Sequence, residues 1–405
     1  MTGMSPFRLL VTHEEAERLL MSHVRQVERT EDVGLSDAVG RVLAQDVVAG
    51  EDVPPFDRAA MDGYAVVAQD TYGASTDSEV ILRVIGAVHA GAPADLEVRQ
   101  GHCVQIATGA PLPRGADAVV MVEYTERRDE GVAITRPVYP GANISRAGED
   151  IHAGEVVLTE GSYLSPARVG VLAALGLTSV RVVARPQVVV IPTGHEIVSP
   201  GERLEAGQIY DVNSFTLEAI LRQNGAAVRR HPIVEDDYDA LRKAIQEAVD
   251  ADLVVLTGGS SVGERDLMVE VLEDLGRVLF HGVQIKPGKP TLLAVVNDTP
   301  VLGMPGYPTS CLSNAYIFLV PAIRKMGRLP PRTPRVVTAR MAKRYVSGSG
   351  RKQFLTVRVE DGLAHIVYRH SGAITSMSRA DGYILLPVNL DVLEEGDQVQ
   401  VTLFE

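Results

Sequence analysis

Leu253-Val254-Val255-Leu256-Thr257-Gly258-Gly259-Ser260-Ser261-Val262-Gly263 runs an unbroken apolar stretch straight into a turn of glycine and serine. Apolar residues at every position, rather than at alternate ones, describe a strand covered on both faces, as in parallel sheets flanked by helices. The sequence on either side alternates to match: an apolar strand over 188–191, a helix over 213–223 closed by Gly225, a strand near 227–234, a helix over 238–249, and the strand 252–257 itself. This pattern predicts a doubly wound α/β domain with a mostly parallel sheet across 185–327.

Outside that domain the texture changes. Thr12-His13-Glu14-Glu15 reads as a capping box, and Ala16, Leu19, Leu20, Val24 and Val27 follow at helical spacing, which predicts an amphipathic helix over 12–28. Short alternating runs such as Val80, Leu82, Val84 and Val104, Ile106, separated by Gly and Pro, predict a small β domain over 51–140. Ser165-Pro166 opens a helix and Gly176 closes it, so the β domain reads as an insertion in an elongated mixed α/β domain of residues 1–50 and 141–184. A Pro-rich basic linker, 328–335, precedes only short strands, 336–341, 354–359, 383–386 and 399–403, which predict a β barrel over 336–405.

Composition bounds the function. A chain of 405 residues divides into several domains, and 45% hydrophobic with 22% charged residues fits folded globular ones. Apolar runs fall far short of the roughly 20 residues that cross a bilayer, and no secretory pattern opens the chain, so no membrane contact and a cytoplasmic location are expected. Two cysteines, Cys103 and Cys311, support neither a disulfide framework nor a zinc knuckle. A net charge of −13 argues against nucleic acid as a partner.

Several loops carry groups able to do chemistry. Only glycine lets a backbone approach a phosphate closely, and the Gly258 turn leads to a helix start near Asp266; an ordinary tight turn remains the alternative. Pro192-Thr193-Gly194-His195-Glu196 also follows a buried strand, so Glu196 and Asp266 can converge, and carboxylates beside phosphates suit Mg²⁺. Capping acids are the alternative there, with His195 read as a structural hydrogen-bonder. Ile285-Lys286-Pro287-Gly288-Lys289-Pro290 holds two lysines in a proline-stiffened turn, either an anion site or a surface turn. Gly303-Met304-Pro305-Gly306-Tyr307-Pro308-Thr309-Ser310 joins a strand to a helix, and Asp62 and Asp150 flank the inserted domain, where turn acids are the simpler reading.

In this order, AAMDGYAV, ATGAPLPRGADAVVMVE, AGEDI, PTGHEI, TGGSSVGERD, IKPGKP and GMPGYPTS resemble the molybdopterin molybdenumtransferase family, MoeA and the gephyrin E domain, over nearly the whole chain. The resemblance implies a molybdopterin-binding-like α/β domain, an inserted β domain, an elongated mixed domain and a C-terminal β barrel. It also implies a homodimeric enzyme that, with Mg²⁺, converts adenylylated molybdopterin and molybdate to molybdenum cofactor and AMP. A molybdopterin adenylyltransferase and molybdoenzyme apoproteins would be its partners. Glu196 and Asp266 would hold Mg²⁺, and Thr257, Gly258, Gly259, Ser260, Ser261 and Gly263 would bind the phosphate or pterin. Lys286, Lys289 and Ser310, with Pro290, Pro305, Gly306, Arg351 and Ser376, would place molybdate and offset charge growing at the cleaved phosphoanhydride. Asp62, Thr108 and Asp150 match family motifs, as does Asp237, whose neighbour Asp236 competes for the role. The chain departs from the family's usual residues at Ala60, Tyr307, Gln353 and Thr356. An adenylyltransferase-like activity, tungstate in place of molybdate, and a gephyrin-like scaffold stay open as alternatives.

Overall fold

Leu253–Thr257 is buried at all five positions and pairs in parallel with Gln187–Pro192 on one side and Thr299–Met304 on the other. In the computed structural model, which describes residues 9–258, 267–347 and 350–404, this strand lies within a six-stranded sheet. The strand order is Ala227–Arg230, Gln187–Pro192, Leu253–Thr257, Thr299–Met304, Leu292–Val296, Arg277–His281. The first four strands are parallel, while Leu292–Val296 pairs antiparallel with both of its neighbours and is the one reversed strand of the six, so the sheet is more mixed than its apolar strands suggest. The reversal is local chemistry: Asn297 and Asp298 both take positive φ, 48° and 67°, which makes the tight hairpin between Leu292–Val296 and Thr299–Met304. Helices Tyr238–Gln246 and Leu267–Leu275 bury Leu241, Ile245, Val271 and Leu272 against Val254, Leu256 and Val301.

Three predicted elements are shorter in the structure. The first helix spans His13–His23, capped by Thr12, whose hydroxyl accepts the Glu15 N–H at 3.2 Å. It stops because Val24 turns extended, and Val27 then donates its N–H to the Met326 carbonyl; both valines are buried, so their spacing mimicked a longer helix. The strand expected over 227–234 ends at Arg230, since Pro232 has no N–H for the ladder, and Val234 returns only as an isolated bridge to Thr193. Tyr238–Gln246 ends before 249 because the Ala248 N–H bonds to Ile245 and the Ala251 N–H to Ala248, tightening the chain into turns.

After the linker, Val336–Met341, Lys352–Glu360, Leu363–Ile366, Gly382–Leu386 and Gln398–Leu403 close on themselves, because Lys352–Glu360 pairs with both Leu363–Ile366 and Gly382–Leu386. Closure leaves no long free edge, and Leu355, Val357, Ile384 and Val401 fill the interior. Ile285–Lys286 adds to this barrel in parallel with Lys352–Gln353. All of these elements, with residues 9–32 and 40–42, form one compact unit.

The second unit, 33–39 and 43–180, is built on a curled six-stranded sheet ordered Ala118–Met121, Gly63–Val66, His102–Ile106, Val80–Val88, Gly131–Ile134, Thr125–Arg128. Its period-2 pattern covers both faces: Tyr64, Val66, Cys103 and Val120 pack in one cluster and Ala65, Val104 and Val119 in another. The same unit carries helix Pro166–Ala174, whose cap Ser165 accepts the Arg168 N–H at 3.4 Å. Among the described residues no helix is long and apolar enough to cross a membrane.

Candidate functional site

Three adjacent parallel strands end side by side, and the turns that leave them interlock. Thr193 donates its N–H and its hydroxyl to the Thr257 carbonyl, at 2.8 and 3.1 Å. Gly258 has φ +92°, and a Cβ there would fall 2.1 Å from the Thr193 carbonyl oxygen, so no other residue fits. A Cβ on Gly306 would lie 3.6 Å from the Gly258 Cα, which brings the third turn against the second. Asn213, the first residue of helix Asn213–Gln223, donates from Nδ2 to the Gly306 carbonyl at 2.7 Å. This is the carboxyl edge of the sheet, where α/β folds take their ligands.

The basic turn faces the same place. Gly288, at φ +104°, leaves room for the Asn314 amide, which donates to the Gly288 carbonyl at 3.0 Å and to the Thr291 hydroxyl at 2.6 Å. Asn314 ends the helical segment Pro308–Asn314 that also carries Ser310, so one element braces both loops. Pairing of Ile285–Lys286 with Lys352–Gln353 brings the barrel segment beginning at Arg351 alongside. The result is a cleft of about 1370 Å³ lined by Glu196, Thr257, Gly258, Lys286, Lys289, Pro290, Pro305, Gly306, Ser310 and Arg351. Burial holds the Lys289 ammonium below the ordinary lysine range, and the nearby Arg351 charge lowers it further. Two cations that repel each other across a cleft are relieved by an anion between them.

Beside Glu196, which lines the cleft, His195 Nδ1 lies 3.4 Å from Asp236 Oδ2 and 4.0 Å from Glu196 Oε2. One ligand atom from each of these three residues falls within 4.8 Å of the others, and their donors suit a divalent cation. His195 thus hydrogen-bonds Asp236, and the same three side chains offer a metal-capable donor set. Of the two neighbouring acids, Asp236 joins this group, whereas Asp237 caps helix Tyr238–Gln246 by accepting the Ala240 N–H at 2.9 Å.

Gly259, Ser260, Ser261, Gly263 and Asp266 fall outside the described residues. Ser376 is buried and accepts the Arg369 N–H at 3.1 Å; it braces the barrel loop whose Ser371, Gly372 and Ile374 line the cleft. Asp62 and Thr108 are paired within the second unit: the Thr108 N–H and hydroxyl donate to Asp62 Oδ1 at 2.6 and 2.8 Å. Those bonds, the backbone one foremost, hold the Asp62 carboxyl below its ordinary value. Asp150 is exposed in that unit, its N–H bonded to the Val53 carbonyl. Gln353 and Thr356 lie on opposite faces of strand Lys352–Glu360: Gln353 accepts the Ser347 hydroxyl at 2.9 Å and donates to Tyr345, and Thr356 is fully buried on the face away from Leu355 and Val357.

Among the cleft residues that sequence reasoning did not assign to the site are Asn213 and Tyr307. Asn213 follows Asp211, which accepts the Ser214 N–H at 3.0 Å and its hydroxyl, so the stretch reads only as a helix start. Tyr307 stood out only as an unusual residue in its loop.

Comparison with known proteins covers the whole arrangement. Residues 11–176 match the MoeA N-terminal region (domain I and II), 189–325 the probable molybdopterin binding domain, and 338–404 the MoeA C-terminal region (domain IV). Molybdopterin molybdenumtransferase 2 of Mycobacterium tuberculosis is 36% identical over 96% of this chain and 98% of its own. The molybdopterin molybdenumtransferase of Staphylococcus aureus is 32% identical over 92% and 91%. The crystal structure of the molybdopterin biosynthesis MoeA protein from Pyrococcus horikoshii superposes with a TM-score of 0.84 at 40% identity, covering 98% of this chain and 99% of that one.

Proposed function

This chain belongs to the MoeA family of molybdenum cofactor biosynthesis, and from that premise we propose that it is a molybdopterin molybdenumtransferase: it takes adenylylated molybdopterin and molybdate and releases AMP and molybdenum cofactor. The observation that carries the reading is one cleft in which the glycine turns at the sheet's carboxyl edge meet Lys286, Lys289, Ser310 and Arg351. Glycine backbone admits phosphate, and the cations suit the molybdate dianion and the charge that grows as the phosphoanhydride breaks. In a protein of net charge −13 only such a short-range site concentrates anions.

The donor set at Glu196 and Asp236, with His195 beside them, fits Mg²⁺, with Asp266 from the sequence reading as a further ligand. When bound, Mg²⁺ would neutralise phosphate oxygens. The remaining work falls to the chain: Thr257 and Gly258 position the phosphate, Lys289 and Arg351 hold the oxyanion, and Ser310 donates a hydrogen bond. Asp62, Thr108, Asp150 and Asp237 are proposed contributors through their family motifs. A cytoplasmic homodimer, supplied by a molybdopterin adenylyltransferase and feeding molybdoenzyme apoproteins, completes the proposal, supported by the family resemblance.

The test is AMP release from adenylylated molybdopterin, measured with molybdate, with tungstate and with neither. Molybdate-dependent release is expected. Release that ignores both oxyanions would defeat the assignment.

A further inference from the structure

Tyr307 is 68% exposed although it lines the cleft, and its backbone is held from both sides. Before it, the Gly306 carbonyl accepts from Asn213 Nδ2; after it, the Thr309 N–H donates to the Ser371 carbonyl at 2.9 Å and the Thr309 hydroxyl to the Ala373 carbonyl at 2.8 Å. The Tyr307 carbonyl accepts the Cys311 N–H at 2.9 Å. The ring edge rests over Gly372, where an added Cβ would stand 3.6 Å from Tyr307 Cδ1. Only two side-chain torsions remain, so little entropy is lost when a ligand settles on the ring. Tyr210, another aromatic of the same cleft, commits its hydroxyl to the Glu202 carbonyl at 2.9 Å.

We propose that Tyr307 is a stacking platform for a flat nitrogen heterocycle of the substrate, and hence a specificity-determining residue of this cleft. The inference rests on the functional reading above and adds the side chain that recognises the ring. The cleft is two-sided in chemistry: Ile197, Leu204 and Ile209 with Tyr307 provide apolar and aromatic surface, while Lys286, Lys289 and Arg351 provide charge. A ligand that carries a planar ring and anionic groups on one frame satisfies both, and a bare oxyanion leaves the aromatic surface unused. Both a pterin and an adenine have that chemistry, and stacking on a tyrosine face is tolerant of which ring it is.

The experiment is equilibrium titration of the full chain with a pterin, followed by quenching of its fluorescence, and separately with AMP, followed by calorimetry. Wild type, Tyr307→Phe, Tyr307→Leu and Tyr307→Ala are compared after their melting temperatures are matched. Phe keeps the π face and should bind within about twofold of wild type, while Leu and Ala should lose about tenfold to a hundredfold for at least one ring, with the pterin's quenching lost if that ring is the pterin. Loss for the pterin alone places the pterin on Tyr307, and loss for AMP alone places the adenine there. Leu binding as well as wild type, Phe failing as badly as Ala, or no loss for either ring would overturn the proposal. Tyr307-dependent ring binding without molybdate-dependent AMP release would leave the platform standing and overturn the proposed reaction instead.

Discussion

Asn213 Nδ2 reaches the Gly306 carbonyl at 2.7 Å and so ties the start of one helix to the loop that precedes another. Residues 93 apart in sequence hold the cleft's third turn in place. Asn213→Ala removes one neutral hydrogen bond and should cost about 0.5–1.5 kcal/mol of stability. Its clearer effect is local: hydrogen exchange of the segment 305–309 should quicken, while that of Leu253–Thr257 should not change.

Lys289 should matter more than any lysine outside the cleft. Lys289→Ala should weaken the molybdate dependence of AMP release by about 2–5 kcal/mol, the range seen when one partner of a desolvated charge contact is lost. Lys243 is the control, since its side chain is 76% exposed and its ion-pair partner among the described residues is Glu247, at 3.8 Å one helical turn on. Lys243→Ala should leave the molybdate titration unchanged.

The pH dependence follows from the same ammonium. Burial and Arg351 lower the Lys289 pKa from 10.5, so the free protein loses this charge at a lower pH than an ordinary lysine would. Oxyanion affinity should therefore begin to fall at a pH below 10.5 as the pH rises. A lysine depressed in the fold costs stability while protonated, and that cost vanishes as pH rises past its unfolded value. Arg351→Gln should weaken binding overall yet move the alkaline fall upward, because the repelling charge is gone. Molybdate titrations across pH for both proteins measure this.

For the acidic group, Glu196→Gln keeps the shape and removes the charge a divalent ion needs. Binding of Mn²⁺, read by electron paramagnetic resonance as a probe of the Mg²⁺ site, should weaken about tenfold or more, with unfolding by urea unchanged because the side chain is 45% exposed.

In the barrel, Thr356 is fully buried and its hydroxyl has no partner among the described residues. Thr356→Val replaces that hydroxyl with a methyl of similar size. It should raise stability by about 1–3 kcal/mol on urea unfolding, without altering AMP release.

Much of the fold was readable from local pattern. The helix Asn213–Gln223 and the strand Val336–Met341 match their predicted bounds, because apolar periodicity and turn residues coincide there. Where apolar residues serve tertiary contacts rather than a local period, the reading overran: Val24 and Val27 are buried by an extended chain, not by a helix face. In the site, Lys286, Lys289, Pro305 and Gly306 were legible since prolines and glycines announce stiff or close-packed loops. Asn213 was not, because its bond to Gly306 depends on two segments meeting, and nothing near Asn213 records that.

The sequence by itself determined the element types, the order of motifs and the family, since these depend on spacing within short windows and on the residues of each loop. Tertiary structure alone decided that strand Leu292–Val296 runs against the rest of its sheet, that Asp236 rather than Asp237 joins His195 and Glu196, and that Ser376 braces the barrel loop that lines the cleft. Neighbouring acids have equal chemistry on paper. Asp237 caps a helix by accepting the Ala240 N–H, Asp236 faces His195, and only the path of the backbone in space assigns one the amide and the other the imidazole.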